Sequence, residues 1–252
     1  MNLNYLLFHV FFTLPPVLVL GYLYSTDRGR KKEFMQGTLL MILLAVLYTS
    51  PWDHFLIEEG VWFYGETVVT QWILGIPLGE YLFFIIQTLG ASLFLYHIGY
   101  NAESTENAGI LGRPLLGLPF LVLSLLGLWT VLFGPESGFY LGAIVAWAGP
   151  VITLQWIFGG EKLLEQYDTL LKGILVPALY LWIIDAVAIG RGLWILPLET
   201  RTGLELLGLP IEEMIFFLFT NIMVVQGVIL YCWTLNSTQD LHEIRERISR
   251  LW

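Results

Sequence analysis

Seven stretches of this chain are long and apolar enough to cross a bilayer, at roughly 3–24, 34–52, 77–99, 114–133, 139–158, 170–189 and 210–233. A spanning helix needs about 20 mostly apolar residues, because the hydrocarbon offers no water to satisfy backbone N–H and C=O groups. Charged residues make up only 13% of the chain, against about 25% in soluble domains, and the mean hydropathy is +0.71. The expected fold class is therefore an all-α integral membrane protein with seven transmembrane helices. The first stretch holds Pro15-Pro16 and is followed by Arg28, Arg30, Lys31 and Lys32 rather than a small-residue cleavage site, so it reads as a span and not a cleavable signal. The single Cys232 excludes an intrachain disulfide and a Cys-rich metal site, and no metal is expected. The net charge of −9 argues against nucleic acid as a partner.

The last span opens on Pro210-Ile211-Glu212-Glu213-Met214-Ile215-Phe216-Phe217, two carboxylates at the head of an apolar run. A similar design stands at Pro77-Leu78-Gly79-Glu80-Tyr81-Leu82-Phe83-Phe84, and both follow a Leu-Gly step, Leu74-Gly75 and Leu207-Gly208. The likeness extends backwards. Asp53, Gly60 and Trp62 lie 132 positions before Asp185, Gly192 and Trp194, and Pro77, Glu80, Phe83 and Phe84 lie 133 before Pro210, Glu213, Phe216 and Phe217. A duplicated unit shows this kind of spacing. The expected organisation is a first three-helix repeat at 1–100, a connector with the fourth span at 101–136, a second three-helix repeat at 137–235 and an amphipathic cytoplasmic tail at 236–252.

The positive-inside rule places the loop with Arg28, Arg30, Lys31 and Lys32 in the cytoplasm. Alternation then puts Arg113, Lys162, Lys172, Arg245, Arg247 and Arg250 inside as well, leaving Arg191 and Arg201 outside. The N-terminus is expected outside and the C-terminus in the cytoplasm. An odd connector makes the repeats parallel, with the pseudo-axis along the membrane normal, so that Asp53, Glu80, Asp185, Glu212 and Glu213 all fall towards the outer side. The tail puts Leu241, Ile244, Ile248 and Leu251 on one helical face, which suits the inner membrane surface.

Acids at the start of a helix are stabilised by its dipole, which accounts for one such residue better than for a recurring set. Asp185 lies inside an apolar run, where a carboxylate costs about 2.5–3.5 kcal/mol on insertion scales and a functional role is the default. From Glu80, Phe83, Phe84 and Gln87 share the helical face; from Glu213, Phe216, Phe217 and Thr220 do, with Asn221 beside them. The outer loops add Trp52, Trp62, Tyr64 and Trp194, although aromatics at this depth also form the interfacial belt. Burial favours the neutral carboxyl, which can then serve as a general acid, while the helix dipole opposes that. Aromatic faces stabilise a cation, by about 2 kcal/mol or more when dry. Together these suit protonation of a carbon–carbon double bond and control of the resulting carbocation.

Pro51-Trp52-Asp53, Gly60-Val61-Trp62 with Tyr64, Pro77 with Glu80 and Phe83-Phe84, and Pro210-Ile211-Glu212-Glu213 with Phe216-Phe217 resemble the membrane-integral lycopene cyclase family, in its fused archaeal and fungal form, over nearly the whole chain. The family's Pro-Xaa-Glu-Glu element matches at 210–213, whereas Gly79 replaces the first acid in the other copy. The resemblance implies conversion of the linear ψ-ends of lycopene, or of a related linear carotenoid drawn from the bilayer, to β-rings without flavin. The chain has no Gly-Xaa-Gly-Xaa-Xaa-Gly fingerprint, so no cofactor is expected. On this view Glu213 or Glu80 protonates the terminal double bond, and the next double bond closes the ring. Glu212, Asp53 or Asp185 takes off a ring proton or orients the acid. Membrane lipid is the surrounding partner, the compartment a prokaryotic cell (plasma) membrane, and a homo-oligomer is left open. An intramembrane proton or ion transporter also uses carboxylates and repeats, but these acids cluster on one side. A retinal protein needs a lysine within a span, and Lys31, Lys32, Lys162 and Lys172 lie at loops or helix ends. A non-catalytic carotenoid binder is the third alternative. A one-sided site makes the one-ring product an obligatory intermediate on the way to two rings.

Overall fold

The computed structural model describes residues 4–29, 32–102 and 113–249, with side chains described for 4–29, 32–102 and 115–236. Seven helical segments are long and apolar enough to cross a membrane, and the protein is an integral membrane protein. The first segment is α1 (Tyr5–Phe8), a π turn (His9–Thr13) and α2 (Leu14–Thr26) in one continuous rod. There follow α3 (Lys32–Glu58), β1 (Phe63–Tyr64), β2 (Trp72–Ile73), β3 (Ile76–Pro77), α4 (Leu78–Ile98), α5 (Arg113–Phe133), α6 (Phe139–Glu165), α7 (Tyr167–Gly190), β4 (Trp194–Ile195), β5 (Glu205–Leu206), β6 (Leu209–Pro210) and α8 (Ile211–Ser249). Side chains such as Leu18, Leu47, Leu115, Phe133 and Ile183 are exposed on the outside of the bundle, the surface that lipid covers.

Helices α4 and α8 are the most buried of the spans and form the centre. Each packs on α7 and α3, and they pack on one another; α2 closes one side and α6 the other. Helix α5 lies along α6, where small residues let the backbones approach. A Cβ at Gly127 would sit 2.7 Å from the Ala146 nitrogen, and one at Gly149 would sit 2.4 Å from the Ser124 side chain. Close backbone contact of this kind drives helix association where lipid and side chains are equally apolar.

Two expectations change. The second span does not end near Trp52. Helix α3 runs through Pro51 to Glu58, so Asp53 sits within a helix and not in the outer loop. Proline is tolerated inside membrane helices because neighbouring groups take up the freed carbonyl, and Pro51-Trp52 is therefore no terminator. Pro77 and Pro210 are not first-turn residues either: each closes a short strand directly before its helix. Helix α8 continues unbroken to Ser249. The amphipathic face of the tail lies outside the described residues, as do Arg30, Lys31 and Arg250 and the side chains of Arg113, Arg245 and Arg247.

The loops before α4 and α8 are held by short paired strands. Strands β2 and β3 pair around Leu74-Gly75, and β5 and β6 around Leu207-Gly208. Both turn residues have positive φ in each hairpin, 51° and 79° in the first and 55° and 81° in the second, as a type I′ turn requires. Strand β1 pairs with β4 so that Phe63 faces Ile195, tying one loop to the other. The two leucines adopt the left-handed region at some cost, since their Cβ crowds the following carbonyl, and Leu207 is 94% exposed, so packing does not repay it. Leu207→Asn, which restores the favoured Asn-Gly pair, should stabilise the protein by about 1 kcal/mol. The check is a higher melting temperature in detergent; an unchanged or lower one would show that Leu207 is held by something other than the turn.

Candidate functional site

The carboxylates are brought together by the helix ends that the hairpins fix. Asp53 comes from the last turns of α3, Glu80 from the first turn of α4, Asp185 from α7 and Glu213 from the first turn of α8. Asp53, Asp185 and Glu213 are buried and Glu80 half-buried in a single cavity beneath the loops that carry the strands, lined also by Tyr5, Trp62, Tyr140, Trp194 and Phe216. Glu80 and Glu213 thus belong to one site. About 60 Å³ of free volume remains between these groups.

Each glutamate is held by a phenol group. Tyr64 Oη donates to Glu80 Oε1 at 2.8 Å, and the Tyr5 ring lines the same cavity beside it. Trp62 Nε1 donates to Tyr64 Oη at 2.8 Å, so the chain of donors runs from indole to phenol to carboxylate. Burial first, and then the charge of Glu80, push the Tyr64 hydroxyl well above its ordinary value, which keeps it a donor. Across the cavity Tyr140 Oη donates to Glu213 Oε1 at 2.7 Å, and Trp194 Nε1 donates to Asp185 Oδ1 at 2.9 Å. Asp53 Oδ2 and Asp185 Oδ2 are buried without a hydrogen-bond partner among the described residues. Buried carboxyl oxygens are costly to leave unpaired, and here both belong to residues that line the reaction space.

The remaining candidates divide. Phe83 and Phe217 line the cavity, their rings 5.8 Å apart at 66°. Phe84 does not; it packs in the apolar core beside them. Trp52 lies behind the wall, stacked on Trp147 at 4.5 Å and on Phe216 at 5.6 Å. Gln87, Thr220 and Asn221 lie deeper and do not line the carboxylate cavity; Gln87 Nε2 donates to Asn221 Oδ1 at 3.3 Å. Glu212 points away from the cavity. Its Oε1 accepts from Thr202 N at 2.7 Å and Thr202 Oγ1 at 2.6 Å, an anchor for the loop before β5. A side chain one position from Glu213 on a helix turns by about 100° and faces elsewhere, which is why adjacent acids do not share a site.

Sequence reasoning missed Tyr5, Tyr140 and His9. A weak signal was present: Tyr5-Leu6 and Tyr140-Leu141 stand 75 and 73 positions before Glu80 and Glu213. His9 explains the departure at position 79. Its Nε2 bonds to the Gly79 carbonyl at 2.9 Å, its Nδ1 meets Thr13 Oγ1 at 2.8 Å, and its ring stacks on Tyr5 with centroids 4.9 Å apart. A Cβ at Gly79 would lie 2.3 Å from Tyr5 Cδ1, so Tyr5 occupies the space that a side chain at 79 would need.

The fold and the site together define a membrane-embedded acid–base protein that acts on, or holds, an apolar ligand. Comparison with known proteins narrows the class. The chain is 38% identical over 239 residues to a lycopene beta-cyclase of Halobacterium salinarum, covering 93% of this chain and 98% of that protein. It is 37% identical over 248 residues to a bifunctional lycopene cyclase/phytoene synthase of Arthroderma gypseum, covering 90% of this chain and 41% of that longer protein, and 35% identical to its counterpart in Phaeosphaeria nodorum. The chain belongs to the lycopene beta-cyclase family. No family model and no solved structure matches it.

Gly79→Ala should destabilise the protein by about 1–3 kcal/mol, the usual cost of overpacking, because Tyr5 and His9 must shift. Gly190→Ala, where a Cβ meets nothing within 4 Å, is the matched control and should be neutral. Thermal unfolding in detergent compares them; equal melting temperatures would remove Tyr5 as the reason for Gly79.

Proposed function

We propose that this protein closes the linear ψ-ends of lycopene, or of a closely related linear carotenoid taken from the bilayer, into β-rings. The reading rests on one observation above all: two glutamates on separate helices, each gripped by tyrosine, share one aromatic cavity with two partly unpaired aspartates. Glu213 is the acid. It has a single tyrosine donor, which leaves a carboxyl oxygen to carry and deliver the proton. Glu80 is half-buried where Glu213 is buried, and as the more exposed carboxylate it stays an acceptor, held by Tyr64.

The proton from Glu213 adds to the terminal double bond and leaves a tertiary cation. The neighbouring double bond attacks it, forming the carbon–carbon bond of a six-membered ring and moving the charge to the next ring carbon. Loss of an adjacent ring proton to Glu80, Asp53 or Asp185 restores a double bond. One proton enters, one leaves, and no electrons are exchanged, so neither flavin nor nicotinamide takes part. Trp62, Phe83, Phe216 and Phe217 flank the charge, and aromatic faces stabilise a desolvated cation by about 2 kcal/mol or more. Exclusion of water by the closed outer loops prevents its capture as an alcohol.

In this proposal the unit is built from two parallel three-helix repeats, 1–100 and 137–235, joined by 101–136. The matched hairpins support it, as does the facing of Phe63 and Ile195, which are themselves 132 positions apart. The N-terminus lies outside and the C-terminus in the cytoplasm of a prokaryotic cell membrane. Glu212, which faces Thr202, has a structural part only.

Expression in a host that accumulates lycopene, followed by pigment chromatography, tests the reading. The protein should yield cyclic carotenoid, and Glu213→Gln, which keeps shape but loses the acid, should yield none while remaining inserted and folded. Lycopene left unchanged by the intact protein would reject cyclisation. Full turnover by Glu213→Gln would remove it as the acid.

A further inference from the structure

The apolar chain behind the reacting end also needs a place. A groove of about 660 Å³ lies between α3, α4, α6 and α8, within the 300–1,000 Å³ usual for ligand sites. Its walls are almost wholly apolar, and its outer end is formed by Phe83 and Phe216, the same rings that line the carboxylate cavity. From there it runs inward to Leu230, 14 residues beyond Phe216 on α8, which is about 21 Å at 1.5 Å per residue. The polar side chains along it are partly committed: Gln155 Nε2 donates to the Met223 carbonyl at 2.8 Å and Gln87 to Asn221. Met41 and Met223 add thioether walls, which adapt to an irregular apolar occupant.

A second groove, of about 510 Å³, lies between α2, α4, α7 and α8. It is lined at corresponding positions: Val19 corresponds to Leu154, 135 positions on, and Leu44 corresponds to Val176, 132 positions on. It shares only Leu181 with the carboxylate cavity. The buried rings of Tyr5 and Phe8 and the half-buried ring of Trp194 pack together beside Leu181, at 5.2 and 5.3 Å.

We propose that the groove between α3, α4, α6 and α8 binds the unreacted polyene remainder of the linear substrate, and that its counterpart does not serve the site. The proposal rests on the cyclisation reading above. A long apolar groove that shares Phe83 and Phe216 with an acid site fits a polyene whose end is being closed. A channel for lipid acyl chains has no need to end at carboxylates. The inner end of the groove lies 17 residues beyond Glu213 on α8, about 25 Å at 1.5 Å per residue, so the far end of the substrate is remote from the acids and a second ring requires release and reversal.

Matched tryptophan variants test this. Leu44→Trp and Leu154→Trp, with Val151→Trp about one turn nearer the carboxylates on the same wall, narrow the groove; Val19→Trp and Val176→Trp narrow the counterpart. Leu44 and Val176 are equally exposed, 47% and 46%, so a merely structural effect strikes both sets alike. Two readouts are taken: kcat/KM with lycopene in bicelles, and lycopene retained by each variant in a Glu213→Gln background. The groove variants should lose about tenfold or more in both, and the counterpart variants should stay within about twofold. Equal effects in the two sets, larger losses from Val19→Trp and Val176→Trp, or retention of phospholipid in place of lycopene would overturn the assignment. Absence of turnover in the unsubstituted protein would instead reject the cyclisation reading, while the retention readout would still decide the groove.

Discussion

Four carboxyl groups under the surface of a membrane protein are expensive, and the rest of the structure is organised around holding them. Removing a polar group from water without a partner costs several kcal/mol, and removing a charge costs more. Tyr140 on Glu213, Tyr64 on Glu80 and Trp194 on Asp185 answer part of that demand. Backbone bonds place two of the phenols that line the cavity. Tyr5 N donates to the Val68 carbonyl at 3.1 Å and Tyr140 N to the Thr200 carbonyl at 3.0 Å, so the first and fifth spans are pinned beneath the loops that cap the cavity. Pairing of β1 with β4 joins the loops. What remains without a partner is one oxygen on each aspartate, and the proposed reaction uses an aspartate as one candidate base.

The two halves do not carry equal parts. On one side position 79 is glycine because Tyr5 and His9 fill the space above it; on the other, position 212 is a glutamate turned outward to hold Thr202. The consequence is that Glu213 is buried and Glu80 half-buried, each with one tyrosine donor. The proposed acid and base differ in this way although the helices that bear them begin alike. The π turn at His9–Thr13 belongs to this difference: it lies where His9 reaches Gly79, whereas α6 carries Ile144 and Ala148, each 135 positions on, in regular helix.

Seven spans could be read from the sequence because hydrocarbon thickness and backbone hydrogen bonding admit few alternatives. The acids at the heads of α4 and α8 were legible for the same reason, since a carboxylate beside an apolar run has a physical cost that demands an account. The end of α3 was not legible, because Pro51 stops a helix in water and is absorbed within a bundle. Glu212 and Phe84 looked equal to their neighbours, and only the rotation of the helix about its axis separates them from Glu213 and Phe83. Tyr5 and Tyr140 lie more than 70 positions from the glutamates whose cavity they line, and a tyrosine near the outer end of a span reads first as an interfacial anchor. The grooves have no sequence signature at all, being spaces left between leucines and methionines that resemble any lipid-facing residue.

The central claim is that a carboxyl proton opens the reaction and a ring proton leaves it. Turnover in deuterium oxide tests this most directly. After the carboxyl groups exchange, each ring closed should carry one deuterium on its carbon framework, at the carbon protonated first, and mass spectrometry of the cyclic product should show one added mass unit per ring. Product of unchanged mass, formed at a comparable rate in fully exchanged protein, would mean that the proton does not come from these carboxyls, and the account would fail at its first step.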